Sequence, residues 1–114
     1  MHLKEVYGKL LQLKKNKEIY ETIDDIFENI ENINIIDLIH KSEIIYQSKN
    51  DIWDILDYIN VILYYKIQLN TVMYKKYVNS IEIVEKTKEK LKSNTNYDMC
   101  IDFLLFKLWE ELNK

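Results

Sequence analysis

The chain contains no proline and a single glycine, Gly8, in 114 residues. Proline removes a backbone donor and clashes with the preceding helical turn, while glycine supplies the positive φ of tight turns, so these are the strongest interrupters of regular backbone. Two-residue hairpin signals such as Asn-Gly or Asp-Gly are also absent. The abundant isoleucines would ordinarily favour strands, yet they recur at steps of three and four, the spacing of one helix face. An all-α fold is expected, a compact bundle of five to six mostly antiparallel helices joined by short Asn-containing links. With 47% hydrophobic residues, the length suits one self-sufficient core and is too short for two ordinary domains.

Helices can be read along the chain from the apolar spacing. Residues 3–15 place Leu3, Val6, Tyr7 and Leu10 on one face, and residues 17–31 do the same with Ile19, Ile23, Ile26, Phe27 and Ile30. Asn34 is placed to cap a third helix, with Asp37 at its third position and Ile35, Leu38, Ile39 and Ile45 inward. Ser48-Lys49-Asn50 reads as a turn, after which Asn50 or Asp51 starts the longest clear helix. Its stripe is Ile52, Ile55, Leu56, Ile59, Ile62, Leu63 and Ile67. Asn70-Thr71 breaks it, and 72–91 follows with Tyr74, Tyr77, Val78, Ile81 and Val84 on its core side. Ser93-Asn94-Thr95-Asn96 ends that helix, because short polar side chains compete for backbone hydrogen bonds. Asn96 is the expected cap of a closing helix on which Ile101, Leu104, Leu105 and Leu108 recur, with Asp98 in the first turn where the helix dipole favours negative charge.

The middle helix carries more apolar surface than one stripe needs. Trp53, Val61, Tyr64 and Tyr65 lie off its main face, and Trp109 stands beside the closing stripe. Either the helix is buried on nearly all sides of a small bundle, or a partner covers a second face. Aromatic side chains are enriched at interface cores because they give much contact area at low entropic cost. Trp53, Tyr64, Tyr65 and Trp109 are therefore the interface candidates.

Catalytic and ligand chemistry finds little footing. A phosphate-binding loop needs several glycines for close backbone approach, and one cannot build it. Zinc needs about four Cys or His ligands at short spacings, whereas Cys100, His2 and His40 are scattered; neither a metal nor a cofactor is expected. Cys100 has no partner for an internal disulfide and is expected to pack, which fits a reducing compartment. His40 with Asp37 and Glu43 reads as a solvated charge cluster before it reads as a ligand set. Asp24-Asp25 and Asp54 with Asp57 raise the idea of paired carboxylates, but nothing nearby suggests a pocket. Basic clusters at Lys14, Lys15 and Lys17 and at Lys86, Lys88, Lys90 and Lys92 sit in a chain of formal net charge −3 without arginine, a weak footprint for DNA. No apolar run reaches the roughly 18 residues of a bilayer span and no signal peptide is evident, so a cytoplasmic protein without membrane contact is expected.

The paired-Asn break Asn94-Thr95-Asn96 before a leucine-rich closing helix resembles the C-terminal end of the delta-prime subunits of the bacterial DNA polymerase III clamp loader. The stretch from Gly8 to Tyr20 is similar to that family's passage out of its lid module, and Asp51 to Leu69 to the long middle helix of its collar, so the resemblance covers roughly residues 8–112. It implies an N-terminal helix or linker from the preceding module over residues 1–15 and a helical collar domain over 16–114. In that family, collar domains of delta, delta-prime and the tau or gamma copies pack into a ring that holds the pentamer together for sliding-clamp loading in DNA replication. The implied partners are thus the tau/gamma and delta subunits through their collars, with no enzymatic step in this segment. The family's arginine finger and zinc site lie upstream and have no matching positions here. The chain ends within a few residues of the closing helix, which favours delta-prime over a tau/gamma collar. The competing expectation is an independent helical regulatory or ligand-binding protein with a pocket between 51–69 and 72–91.

Overall fold

The computed structural model describes residues 3–93 and 96–114, with side chains from residue 16 onward. The described residues form α1 (Leu3–Asn29), α2 (Ile35–Lys41), α3 (Glu43–Tyr46), a 3-10 turn (Lys49–Asp51), α4 (Ile52–Leu69), α5 (Tyr74–Ser93) and α6 (Tyr97–Leu112). The all-α expectation holds, but the two helices expected before residue 31 are one. Nothing at Asn16-Lys17 breaks the chain, since an internal Asn costs only about 0.7 kcal/mol relative to Ala. The division between residues 15 and 16 falls inside α1. The face expected on Leu3, Val6, Tyr7 and Leu10 lies outside the described side chains.

Asn34 caps α2 as its spacing predicts. Its Oδ1 accepts from the Asp37 amide at 2.9 Å, and its Nδ2 donates to the Asp37 carboxylate at 2.9 Å. The helix expected to continue through Ile45 is interrupted at Ser42, which separates α2 from α3. Leu38, Ser42 and Ile45 are buried, whereas Ile39 is exposed. The inward stripe is narrower than expected, and Ile39 lies a quarter-turn from its centre.

α4 buries Ile52, Ile55, Leu56, Ile59 and Leu63, with Ile62 and Ile67 half-buried at the edges of that stripe. At 18 residues it is shorter than α1 and α5, so it is not the longest helix. α5 is rotated from expectation: Tyr77, Ser80, Val84 and Thr87 face the core, while Tyr74 and Val78 are exposed. The Ser80 and Thr87 hydroxyls donate to the Lys76 and Ile83 carbonyls at 2.7 and 2.9 Å. A hydroxyl satisfied within its own helix can be buried without an orphaned donor, which lets small polar residues occupy core positions.

α6 begins at the Asn96 cap, whose Oδ1 accepts from the Met99 amide at 3.1 Å. It buries Tyr97, Cys100, Ile101, Leu104, Leu105, Leu108 and Leu112. Three donors tie it to the first half of the chain. The Tyr97 hydroxyl donates to the Ile45 carbonyl at 2.6 Å, Trp109 Nε1 to the Ile33 carbonyl at 2.7 Å, and Asn113 Nδ2 to the Ile30 carbonyl at 2.9 Å. α5 packs against both α4 and α6. This leaves the outer side of α4 open. Among the described residues no helix is long and apolar enough to cross a membrane.

Candidate protein-docking surface

The exposure of α4 follows from its position between two neighbours. On one flank Asn60 donates to Glu85 and Lys88 of α5 pairs with Asp57; on the other, the Tyr58 hydroxyl donates to Asp24 of α1. Val61 stands opposite the buried stripe, and Tyr64, Tyr65 and Leu69 continue along the helix beyond the two flanking contacts; the four are exposed by 61%, 57%, 60% and 68%. The turn that follows adds Val72, with Tyr74 at the start of α5, and Asn70 Oδ1 holds the turn by accepting from the Met73 amide at 3.3 Å. Soluble monomers seldom expose contiguous apolar patches beyond a few hundred Å², so a surface with this many large side chains is a docking candidate.

The four aromatic candidates do not form one cluster. Tyr64 and Tyr65 belong to the patch. Trp53 is also exposed, but it sits 11 residues earlier on α4, about 16 Å along the helix axis, with the Lys92 ammonium 6.0 Å from its ring. Trp109 is half-buried on α6, its sole side-chain donor engaged by the Ile33 carbonyl. Leu69 and Val72 are also exposed, although neither stands among the residues expected at a surface. Leu69 could have been found, because it continues the four-residue spacing of Val61 and Tyr65. Val72 could not, because its exposure depends on the helix starting two residues later than its spacing suggests.

Beside the patch, α1 and α4 enclose an open groove of about 500 Å³ whose lining includes Asp24, Phe27, Glu28, Ile62, Tyr65 and Lys66. Lys66 Nζ donates to the Phe27 carbonyl at 2.8 Å. Burial lowers its pKa, and the nearby Glu31 charge opposes that shift. The Tyr58 hydroxyl lies 2.6 Å from Asp24 Oδ1, and this hydrogen bond, with burial, pushes its pKa up to about 12. The Tyr58 ring packs against Tyr20 with centroids 4.7 Å apart. The groove thus has an apolar floor, an acidic α1 edge and one cation already committed to a carbonyl.

No family model, curated protein or solved structure matches the chain.

The remaining polar clusters serve as ties between helices. Asp24 and Asp25 diverge, one meeting Tyr58 of α4 and the other pairing with Lys41 of α2 at 3.0 Å. The basic run on α5 is dispersed: Lys88 pairs with Asp57 and Glu85, Lys90 lies 4.6 Å from the Phe103 ring centroid, and Lys92 lies over Trp53. His40 lines a shallow surface depression with Asp37 and Lys41. Among the described residues no group of three His, Cys, Asp or Glu side chains is arranged to hold a metal ion.

Proposed function

We propose that this domain is a non-enzymatic assembly module of the clamp-loader collar type, in the delta-prime place, that joins tau/gamma and delta subunits in the cytoplasm. The observation that carries the reading is the outward apolar face of α4, its following turn and the start of α5: Val61, Tyr64, Tyr65, Leu69, Val72 and Tyr74. A ring of different subunits joins through heterologous contacts, so each member needs surface complementary to another. The helical architecture and the capped, leucine-rich α6 are compatible with that role. The module works by binding energy and geometry, keeping neighbouring subunits at a fixed spacing while other modules do the chemistry.

The test is the mass in solution, by size-exclusion chromatography with light scattering, of this chain alone and mixed with tau/gamma and delta collar domains of the same organism. A stoichiometric mixed complex is expected. A chain that ignores both partners, or a tight homodimer, overturns the collar assignment. The groove between α1 and α4 favours a second reading, an independent helical regulatory or ligand-binding protein, because its floor offers Phe27 and Ile62 to an apolar ligand. Its opening lies between α1 and α4, not between α4 and α5 as the sequence suggested.

A further inference from the structure

We propose that the α1/α4 groove receives an amphipathic helix from a partner protein, with an apolar stripe against Val61, Tyr65 and Leu69 and lysine or arginine along the edge facing Asp24 and Glu28. The inference rests on the reading that the outer face of α4 docks a protein, and it adds the chemistry of the segment that docks.

Val61, Tyr65 and Leu69 occupy positions i, i+4 and i+8 of α4, a ridge about 12 Å long. The i±4 ridge of a helix packs into the grooves of another helix at an axis separation of about 8–10 Å. An incoming helix therefore needs apolar anchors at i, i+3 or i+4, and i+7 to follow this ridge over two to three turns. An extended peptide has no comparable match, because no sheet edge is present among the described residues.

Charge then selects the partner. Asp24 is an acidic side chain on the α1 edge of the groove, and only its Oδ1 accepts from the Tyr58 hydroxyl, at 2.6 Å. Glu28 is exposed one turn further along α1, and its charge reaches Lys66 across the groove. Among the described residues Lys66 is the sole cation lining the groove, and its ammonium is held at the Phe27 carbonyl. A nucleic-acid backbone, an anionic lipid surface or an acidic peptide would meet like charge at this edge. A helix bearing lysine or arginine beside its apolar stripe meets complementary charge.

The probe is a fluorescein-labelled 18-residue leucine/lysine helix, compared with a leucine/glutamate helix of the same pattern, titrated with the full chain in about 0.15 M salt and read by anisotropy. Saturable binding of the lysine peptide, and weaker binding of the glutamate peptide, is expected. Glu28→Lys should weaken the lysine peptide by about tenfold, and Leu69→Gln should weaken both peptides. Glu82→Lys, the same charge change on the exposed part of α5, should leave both affinities unchanged. Circular dichroism melts keep folding defects separate from lost binding. No saturable binding, or equal losses from Glu28→Lys and Glu82→Lys, overturns the inference. Mixing with collar domains separates the two readings. A collar complex indifferent to Glu28→Lys and Leu69→Gln, with no peptide binding, removes the groove and keeps the collar. Peptide binding without any collar complex removes the collar assignment and keeps the groove.

Discussion

Tyrosine hydroxyls make several of the polar links between distant parts of the chain: Tyr46 to Asp102, Tyr58 to Asp24, Tyr77 to Glu31 and Tyr97 to the Ile45 carbonyl. All are pushed above the ordinary tyrosine pKa. Burial is the leading cause for Tyr46, Tyr77 and Tyr97, and the Asp24 hydrogen bond for Tyr58, which reaches about 12. A folded-state pKa above the unfolded value of about 10 means that the folded chain holds these protons longer. Their stabilisation is full below pH about 10 and is lost as pH rises through the higher folded values. Lys66 acts in the opposite sense, since its lowered pKa makes stability rise with pH until the ordinary lysine value is passed. The tyrosines prevail above that point, so unfolding should be promoted there. Absorbance at 295 nm and helical circular dichroism, followed together from pH 8 to 13, should show a phenolate step coincident with helix loss. Complete phenolate formation with the helices intact would contradict this. Ser42 supplies a second residue-scale outcome. Its buried Oγ has no hydrogen-bond partner and makes no cap bond to α3, so Ser42→Ala removes an unsatisfied buried group and should raise stability by about 1 kcal/mol. Urea unfolding checks it, and a lowered midpoint would show that the hydroxyl has a role the geometry does not reveal.

Helix starts depend on short polar side chains, and these were the most legible elements. Asn34 and Asn96 could be assigned as caps because each precedes an apolar helical pattern, with an acidic residue in the first turn that follows. Asn96→Ala should lower stability by about 1 kcal/mol, seen as a fall of several degrees in the thermal midpoint, while Asn96→Asp should retain most of it. A midpoint unchanged by Asn96→Ala would mean that packing of Tyr97 and Ile101 alone fixes the start of α6. The stripe of α4 was equally readable because apolar residues alone define it. The stripe of α5 was not: its core includes Ser80 and Thr87, whose hydroxyls become compatible with burial only after they bond to their own helix. A reading by hydrophobicity skips both and turns the helix toward Tyr74 and Val78. The continuity of α1 was hidden for a different reason, since a cluster of polar residues around Asn16 resembles a link but contains nothing that interrupts a helix.

At the scale of the molecule, internal and external aromatic surface are separable, and that separation makes the assembly reading testable. Tyr64 and Tyr65 could be singled out because they fall off the apolar stripe of α4, and both are exposed. The environment of Trp109 could not be foreseen: its indole donor meets a carbonyl 76 residues away, a pairing that only the folded chain creates. The two kinds of aromatic residue should respond differently to substitution. Trp109→Ala removes packed ring surface and strands the Ile33 carbonyl, so it should destabilise the isolated domain by about 3–5 kcal/mol. The double substitution of Tyr64 and Tyr65 by serine removes mainly exposed surface and should change stability by no more than about 1 kcal/mol, two exposed sites each falling within about 0.5. If the outer face of α4 forms the subunit contact, that same double variant should weaken the mixed collar complex by at least about tenfold, since buried aromatic anchors carry much of an interface's energy. Urea melts of each variant alone, paired with light scattering of each mixture, measure both quantities. An intact complex with the tyrosine double variant would move the contact away from this face. A lost complex with unchanged melts would locate it there, because a defect in folding would have appeared in the isolated chain.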